Sequence, residues 1–87
     1  MAKTFEELWA ELLKKSTSAD PQSATVSALN SGTRFIARKV LEEAGEVFAA
    51  AENDGAELAL EISQLLYWLQ VLMLSENLDL PDIYERL

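Results

Sequence analysis

Closely spaced carboxylates are the side chains of this sequence that could carry chemistry. Glu42, Glu43 and Glu46 lie in the stretch LEEAGEV, among apolar residues. Glu43 and Glu46 are three positions apart, so on a helix they are surface neighbours with Cβ atoms about 5–6 Å apart. Taken alone, this stretch has two explanations that stay open at this point: a solvated helix face and a metal site.

A further carboxylate, Glu61, favours the metal site. It lies in a segment whose apolar residues, among them Leu65, Trp68 and Leu72, surround nearly the whole circumference of a helix. A buried carboxylate is costly, so it should be neutral, paired or bound to a cation. In an antiparallel hairpin, Glu61 could face the acidic edge of the earlier helix. A set of oxygen ligands without histidine or cysteine suits Mg²⁺ or Mn²⁺.

The composition restricts the chemistry further. The 87 residues include no cysteine and no histidine, which excludes disulfides, a thiolate nucleophile and the usual zinc ligands. There are 7 Lys and Arg residues against 15 Asp and Glu residues, which gives a formal charge of −8. Such a chain repels nucleic acid and membranes of the same charge. A bound Mg²⁺ ion would let it attract a polyphosphate.

The length and the apolar runs predict one small domain, residues 1–87, in the cytoplasm. The first eleven residues include three glutamates, where a signal peptide would carry an apolar run. The apolar run over residues 62–74 contains a serine and two glutamines and is too short to span a bilayer. We therefore expect neither a nucleic acid nor a membrane as a partner.

Short helices are predicted towards both ends of the chain. Thr4 followed by Glu7 is a capping box that opens a helix through about residue 15. Ser23 is expected to cap one or two further helical turns ending near residue 29. Asp79 is expected to cap a last short helix with Pro81 in its first turn.

Two longer helices, over residues 33–52 and 56–76, form the centre of the predicted all-α fold. Each would be about 30 Å long. Asp54 and Glu57 match a second capping box at the start of the later helix. So short a connection predicts an antiparallel helical hairpin. We expect the later helix, which is apolar nearly all round, to be central and buried. The core of so short a chain is thin, so a partner subunit would help to complete it.

The two helices carry motifs that resemble a known family. The all-α nucleoside triphosphate pyrophosphohydrolases (the MazG-like superfamily) have E-E-x-x-E on one helix and E-x-x-D on the next. Here these motifs read EEAGE over residues 42–46 and EISQ over residues 61–64. The chain is more closely similar to the phosphoribosyl-ATP pyrophosphatases of histidine biosynthesis, over almost its whole length. The stretches that carry this similarity are SAT at 23–25, Gly32, KVLEEA at 39–44 and LLY at 65–67.

The resemblance implies an activity, an assembly and a set of site residues. It implies hydrolysis of phosphoribosyl-ATP to phosphoribosyl-AMP and pyrophosphate with Mg²⁺, in a homodimer whose paired hairpins form a four-helix bundle. The implied metal ligands are Glu43, Glu46, Glu61 and, in the fourth place, Gln64. The implied catalytic residues are Glu43 and Glu42, the latter as an outer ligand or as a base for the attacking water. The implied substrate-binding residues are Lys39, Ser23 and Thr25. Arg34, on a different face of its helix from the carboxylates, is a further substrate-binding candidate that could reach another subunit or the distal phosphates of the substrate. Helix capping and turn formation are the alternative roles for Ser23 and Thr25, and an ordinary solvated or interfacial position is the alternative for Arg34.

Two positions depart from the pattern of the superfamily. Gln64 replaces the usual aspartate, so we expect weaker metal binding or one metal fewer, with Glu57 able to compensate one turn earlier. Trp68 follows Tyr67 where related chains often carry histidine, and we expect both aromatic residues in the core or at a dimer interface. Two other functions stay open, a pyrophosphatase of another nucleoside triphosphate, such as dCTP or dUTP, and a non-catalytic helical dimer module.

Overall fold

Five helices make up the part of the chain that the computed structural model describes, residues 2–87. They are α1 (Phe5–Ser16), α2 (Ala24–Ser31), α3 (Thr33–Glu52), α4 (Leu58–Ser75) and α5 (Leu80–Tyr84). These residues contain no strand. The predicted all-α class is confirmed, with short helices before and after a long helical pair.

Three of the predicted helix caps are confirmed. The Thr4 hydroxyl accepts a hydrogen bond from the backbone N–H of Glu7 at 3.1 Å, and the Thr4 N–H donates to Glu7 Oε1 at 2.7 Å. The Ser23 hydroxyl accepts from the N–H of Val26 at 3.2 Å. Asp79 caps α5 within a capping box. Each cap satisfies N–H groups that have no partner inside their helix, so these residues fix where α1, α2 and α5 begin.

The start of α4 differs from the prediction. The Asp54 carboxylate accepts from the N–H of Ala56 at 2.9 Å inside the turn, and Glu57 occupies the N-cap position without a side-chain hydrogen bond. The predicted capping box of Asp54 and Glu57 is therefore wrong, and α4 begins at Leu58. Gly55 has φ 78°, a left-handed conformation that glycine adopts without the steric cost of a side chain.

α3 and α4 form the predicted antiparallel hairpin. The hydroxyl of Thr33, the first residue of α3, contacts the hydroxyl of Ser75, the last residue of α4, and donates to Glu76 Oε2 at 2.7 Å. Further along the pair, the rings of Phe35 and Trp68 have centroids 6.4 Å apart. These contacts set the register of the hairpin, and the connection over residues 53–57 closes its other end.

The core lies at the end of the hairpin away from this connection. Its fully packed residues come from four helices and are Leu12, Ala28, Ile36 and Val71. α1 and α2 pack there against α4, and α2 also packs against α3. The half of the hairpin next to the turn therefore extends beyond the small core.

α4 is less buried than its composition predicts. Its buried residues are Gln70, Val71 and Met73, whereas four of its large apolar residues are exposed, Leu60, Ile62, Leu66 and Leu69. The prediction of a central, buried helix is wrong for the single chain, because its other helices leave these four residues partly uncovered. By length and composition alone, α4 could also cross a membrane, a weak indication that apolar helices of soluble proteins give as well.

Candidate functional site

Four carboxylates interact in the turn half of the hairpin. Glu43 and Glu46 extend from α3, Glu57 immediately precedes α4, and Glu61 lies in the first turn of α4. Burial raises the pKa of the Glu61 carboxyl, and the negative charges of Glu46, Glu43 and Glu57 raise it further. Every charge that shifts this pKa is negative. The structure thus brings the predicted acidic edge of α3 within electrostatic range of Glu61.

Glu43 has a buried oxygen atom without a partner. Its Oε2 is inaccessible to solvent and receives no hydrogen bond from the residues that the structure describes. A buried carboxylate oxygen left in this state is costly, because its hydration is lost and nothing replaces it. The predicted ligands, three carboxylates and the amide of Gln64, offer the hard oxygen atoms that Mg²⁺ prefers. The residues present therefore fit a divalent cation in their chemistry.

The carboxylates are near one another without surrounding a common point. Within residues 2–87, no three acidic side chains are grouped as they would be around a metal ion. Glu46 and Gln64 are exposed, whereas Glu43 and Glu61 are half-buried. The exposed pair must therefore turn towards the buried pair for all four to share one ion. The ligand set of Glu43, Glu46, Glu61 and Gln64 stays a prediction.

Lys39 lies one helical turn before Glu43 on α3. Its ammonium is 3.3 Å from Oε1 of Glu42 and 6.0 Å from the ring centroids of both Phe35 and Trp68. About a third of the Lys39 side chain is exposed, and about half of that of Glu42. A positive charge that solvent can reach thus lies beside the acidic residues. Two points stay predictions: that Lys39 contacts a phosphate, and that Glu42 has a catalytic role.

The SAT stretch has a structural use at the start of α2. Ser23 is the helix cap, so the capping role that was its alternative is confirmed. Thr25 is only 3% exposed, and its hydroxyl is 2.7 Å from the hydroxyl of Tyr67, which connects α2 to α4. Arg34 is exposed in the first turn of α3. Contacts of these residues with the substrate stay predictions. Thr25 is the residue least able to touch a substrate directly, because it is buried.

A groove of about 660 Å³ lies at the opposite end of the hairpin from the carboxylates. Two pairs of its polar side chains bond each other: the Trp9 indole N–H donates to Asp79 Oδ1 at 3.0 Å, and the hydroxyls of Thr33 and Ser75 are in contact. It lies between α1, α2, α3, α4 and the segment that precedes α5, and it does not include the candidate site.

The sequence analysis missed the aromatic residue beside Lys39. Phe35 lies four positions before Lys39, a spacing that places the two side chains on one face of a helix. That spacing could have predicted the contact between Phe35 and Lys39. The contact between Lys39 and Trp68 depends on the register of the hairpin, which the sequence does not specify.

Comparison with known proteins identifies the family. A family model described as phosphoribosyl-ATP pyrophosphohydrolase matches residues 5–87. The chain belongs to this family.

Two relatives show how far the similarity to phosphoribosyl-ATP pyrophosphohydrolases extends. A phosphoribosyl-ATP pyrophosphatase from Salinibacter ruber is 57% identical over 86 residues, which cover 98% of this chain and 99% of the relative. A protein of the same name from Bifidobacterium animalis subsp. lactis is 52% identical over the same shares of both chains. The resemblance inferred from the motifs is confirmed over nearly the full length of the chain.

Proposed function

We propose that this protein hydrolyses phosphoribosyl-ATP to phosphoribosyl-AMP and pyrophosphate, a step of histidine biosynthesis. Membership of the phosphoribosyl-ATP pyrophosphohydrolase family over residues 5–87 carries the proposal. Two relatives more than 50% identical bear the name of this activity. The interacting carboxylates support it, since they give the chain the means to bind the ion that accompanies a triphosphate. We place the protein in the cytoplasm, as its sequence led us to expect.

Mg²⁺, or Mn²⁺ in its place, is the proposed cofactor. The unpartnered oxygen of Glu43 and the repulsion at Glu61 support a cation held by Glu43, Glu46, Glu61 and the amide oxygen of Gln64. When bound, the ion neutralises phosphate charge and lowers the pKa of a coordinated water. Gln64 contributes no negative charge, so we expect weaker binding than an aspartate would give. Glu57, which acts on Glu61 electrostatically, is the residue that could compensate.

The remaining predicted residues are the catalytic Glu42 and a set that binds substrate. Glu42 at the exposed rim accepts the proton of the attacking water or contacts the ion from outside. Lys39, 3.3 Å from Glu42, donates to a phosphate oxygen of the substrate. Ser23 and Arg34, at the starts of α2 and α3, contact phosphate or ribose. Thr25 contributes from beneath the surface, through its bond with Tyr67.

The proposed assembly is a homodimer in which two hairpins form a four-helix bundle. The large apolar residues exposed on α3 and α4 support it, and they are Phe35, Leu41, Phe48, Leu60, Ile62, Leu66 and Leu69. An apolar surface of this kind on a small domain is costly in water, and a second copy presents the complementary surface. Leu66→Glu should yield monomers in sedimentation velocity. Leu87→Glu, at a residue 95% exposed at the end of the chain, is the matched control that should leave the dimer intact.

Release of pyrophosphate by the purified protein tests the function. We expect release from phosphoribosyl-ATP in Mg²⁺, no release after EDTA is added, and recovery when Mg²⁺ is restored. A substrate panel with dCTP and dUTP separates this activity from that of other nucleoside triphosphate pyrophosphatases. A folded dimer that releases no pyrophosphate from any of these substrates with ample Mg²⁺ would leave the non-catalytic dimer module as the better account.

A further inference from the structure

We propose that Phe35 and Trp68 are positioning residues that hold the Lys39 ammonium beside the carboxylates. The proposal rests on the function given above, in which Lys39 contacts a substrate phosphate. The Lys39 ammonium is 6.0 Å from the centroid of each ring, which is about the range over which a cation is attracted to an aromatic face. We call the two rings and the ammonium they hold the lysine seat.

The lysine seat joins both helices of the hairpin. Phe35 lies on α3, one turn before Lys39, whereas Trp68 comes from α4. The two rings meet edge to face, with centroids 6.4 Å apart and planes at 71°, an arrangement favoured by their electrostatics. The position of the ammonium is therefore tied to the register of α3 against α4. That register also places Glu61 opposite the acidic edge of α3.

The salt bridge with Glu42 is not sufficient to fix the ammonium. The two side chains are about 36% and 53% exposed, and exposed ion pairs are weak because water screens them and long side chains lose freedom. A lysine has a flexible four-carbon stem. The two rings restrict that stem before a substrate arrives, which lowers the entropic cost of placing the charge at a phosphate.

Trp68 is itself held by a contact with its neighbour Tyr67. Its ring meets the Tyr67 ring edge to face, with centroids 5.3 Å apart. The Tyr67 hydroxyl in turn bonds the buried hydroxyl of Thr25 at 2.7 Å. A series of contacts thus runs from α2 through Thr25, Tyr67 and Trp68 to the ammonium of Lys39. This series explains how a threonine that solvent barely reaches could affect the candidate site.

NMR of the intact protein tests the lysine seat without any activity measurement. A methylene group near an aromatic face shows a ring-current shift, so the ε-protons of Lys39 should resonate upfield of those of the other lysines. Phe35→Leu, which keeps apolar bulk at a partly exposed position, should remove part of this shift. Trp68→Phe, which keeps a ring, should retain most of it. Tyr84→Leu, at an exposed aromatic residue of α5 outside the hairpin, is the control and should leave the shift unchanged.

The kinetic test is a double-mutant cycle on pyrophosphate release from phosphoribosyl-ATP. Phe35→Leu should lower kcat/KM roughly two- to fivefold, the effect that one exposed cation–π contact provides. Lys39→Met should lower it further. In the Lys39→Met background, Phe35→Leu should have no additional effect, because the ring then has no cation to hold.

Two outcomes would overturn the proposal. One is a wild-type protein whose Lys39 ε-protons show no ring-current shift. The other is an equal loss of kcat/KM from Phe35→Leu with and without Lys39, which would show that the ring contacts the substrate or supports the fold in general. Failure of the proposed function would look different. If the Lys39 ε-protons show the ring-current shift in a protein that releases no pyrophosphate, the lysine seat exists but the proposed reaction is wrong.

Discussion

The two ends of the helical hairpin differ in whether their polar groups have hydrogen-bond partners. At the core end, donors meet acceptors: the Trp9 indole bonds Asp79, Thr33 bonds Glu76 and Thr25 bonds Tyr67. At the turn end, Glu43 keeps an unpartnered buried oxygen and Glu61 meets only like charges. Folded proteins pair nearly all buried polar groups, so an unpaired acidic cluster indicates a site that a ligand completes.

The comparison has one exception at the core end. The amide nitrogen of the fully buried Gln70 donates to the carbonyl oxygen of Phe5 at 3.0 Å, while its Oε1 has no partner in the described residues. Gln70 is nevertheless uncharged and fixed by one bond between α4 and α1. The turn end differs because its unpaired groups are carboxylates that repel one another.

The largest expected effect is on activity at the turn end. Glu43→Gln or Glu61→Gln should lower Mg²⁺-dependent pyrophosphate release on the order of 100-fold or more, because each change removes a charged ligand of the proposed ion. Circular dichroism should show an unchanged helical fold. Glu52→Gln, an exposed position at the end of α3, is the control that should retain activity. If both site variants kept wild-type turnover, the unpaired carboxylates at the turn end would not be the catalytic site.

At the core end, the corresponding effect is on stability. Thr25→Val leaves the Tyr67 hydroxyl without its buried partner and should lower the free energy of unfolding by about 1–3 kcal/mol, measured by urea denaturation. The double variant Thr25→Val with Tyr67→Phe should lose less than Thr25→Val alone, since no unpaired hydroxyl then remains. If the losses of unfolding free energy from the two substitutions add up, the two hydroxyls are not coupled. The polar groups at the core end would then not be paired as the structure indicates.

Local signals in the sequence predicted the elements of the fold well, and cross-helix relations less well. Thr4, Ser23 and Asp79 set helix starts by bonds within a few residues, which a sequence pattern contains. Asp54 also acts locally, but its carboxylate bonds the nearer N–H of Ala56, so the start of α4 moves. No local pattern favours one of these partners over the other.

The candidate site shows the same division between local and cross-helix information. Helical spacing predicted that Glu43 and Glu46 lie together and that Glu61 could face them. The contact of Lys39 with Trp68 required the register of the hairpin. The sequence also did not predict the exposed apolar residues of α4. Composition shows how apolar a helix is, but it does not show which of its faces pack against other helices.

A change at Gln64 should have a smaller effect on the turn end. Gln64→Asp adds a fourth negative charge to the proposed ligand set, so it should tighten Mg²⁺ binding about tenfold, since ligand charge count raises affinity for such ions. Isothermal titration calorimetry measures this change directly. Without metal, the same variant should be less stable than the wild type because like charges have been added. Gln22→Asp, in the exposed loop before α2, is the control for the added charge. Tighter binding in that control too would show that the overall charge, and not the site, attracts the ion.

The smallest effect concerns the pH dependence of the metal-free protein. The folded-state pKa of Glu61 is raised above its ordinary value of 4.5 by burial and by Glu46, Glu43 and Glu57. The folded state therefore keeps a proton that the unfolded chain has already released. The stabilising contribution is fully present below pH 4.5 and is lost as pH rises through the folded pKa.

Glu61→Gln removes this loss because an amide does not titrate. In EDTA, the variant should therefore be more stable than the wild type at pH 7, and the difference should disappear below pH 4.5, as measured by urea denaturation across this range. Glu52→Gln corrects for the removal of one charge. Addition of Mg²⁺ at pH 7 should reverse the order, because the ion stabilises only the chain that binds it. A variant less stable than the wild type at pH 7 in EDTA would mean that Glu61 has a partner that stabilises its charge, and the turn end would then resemble the core end.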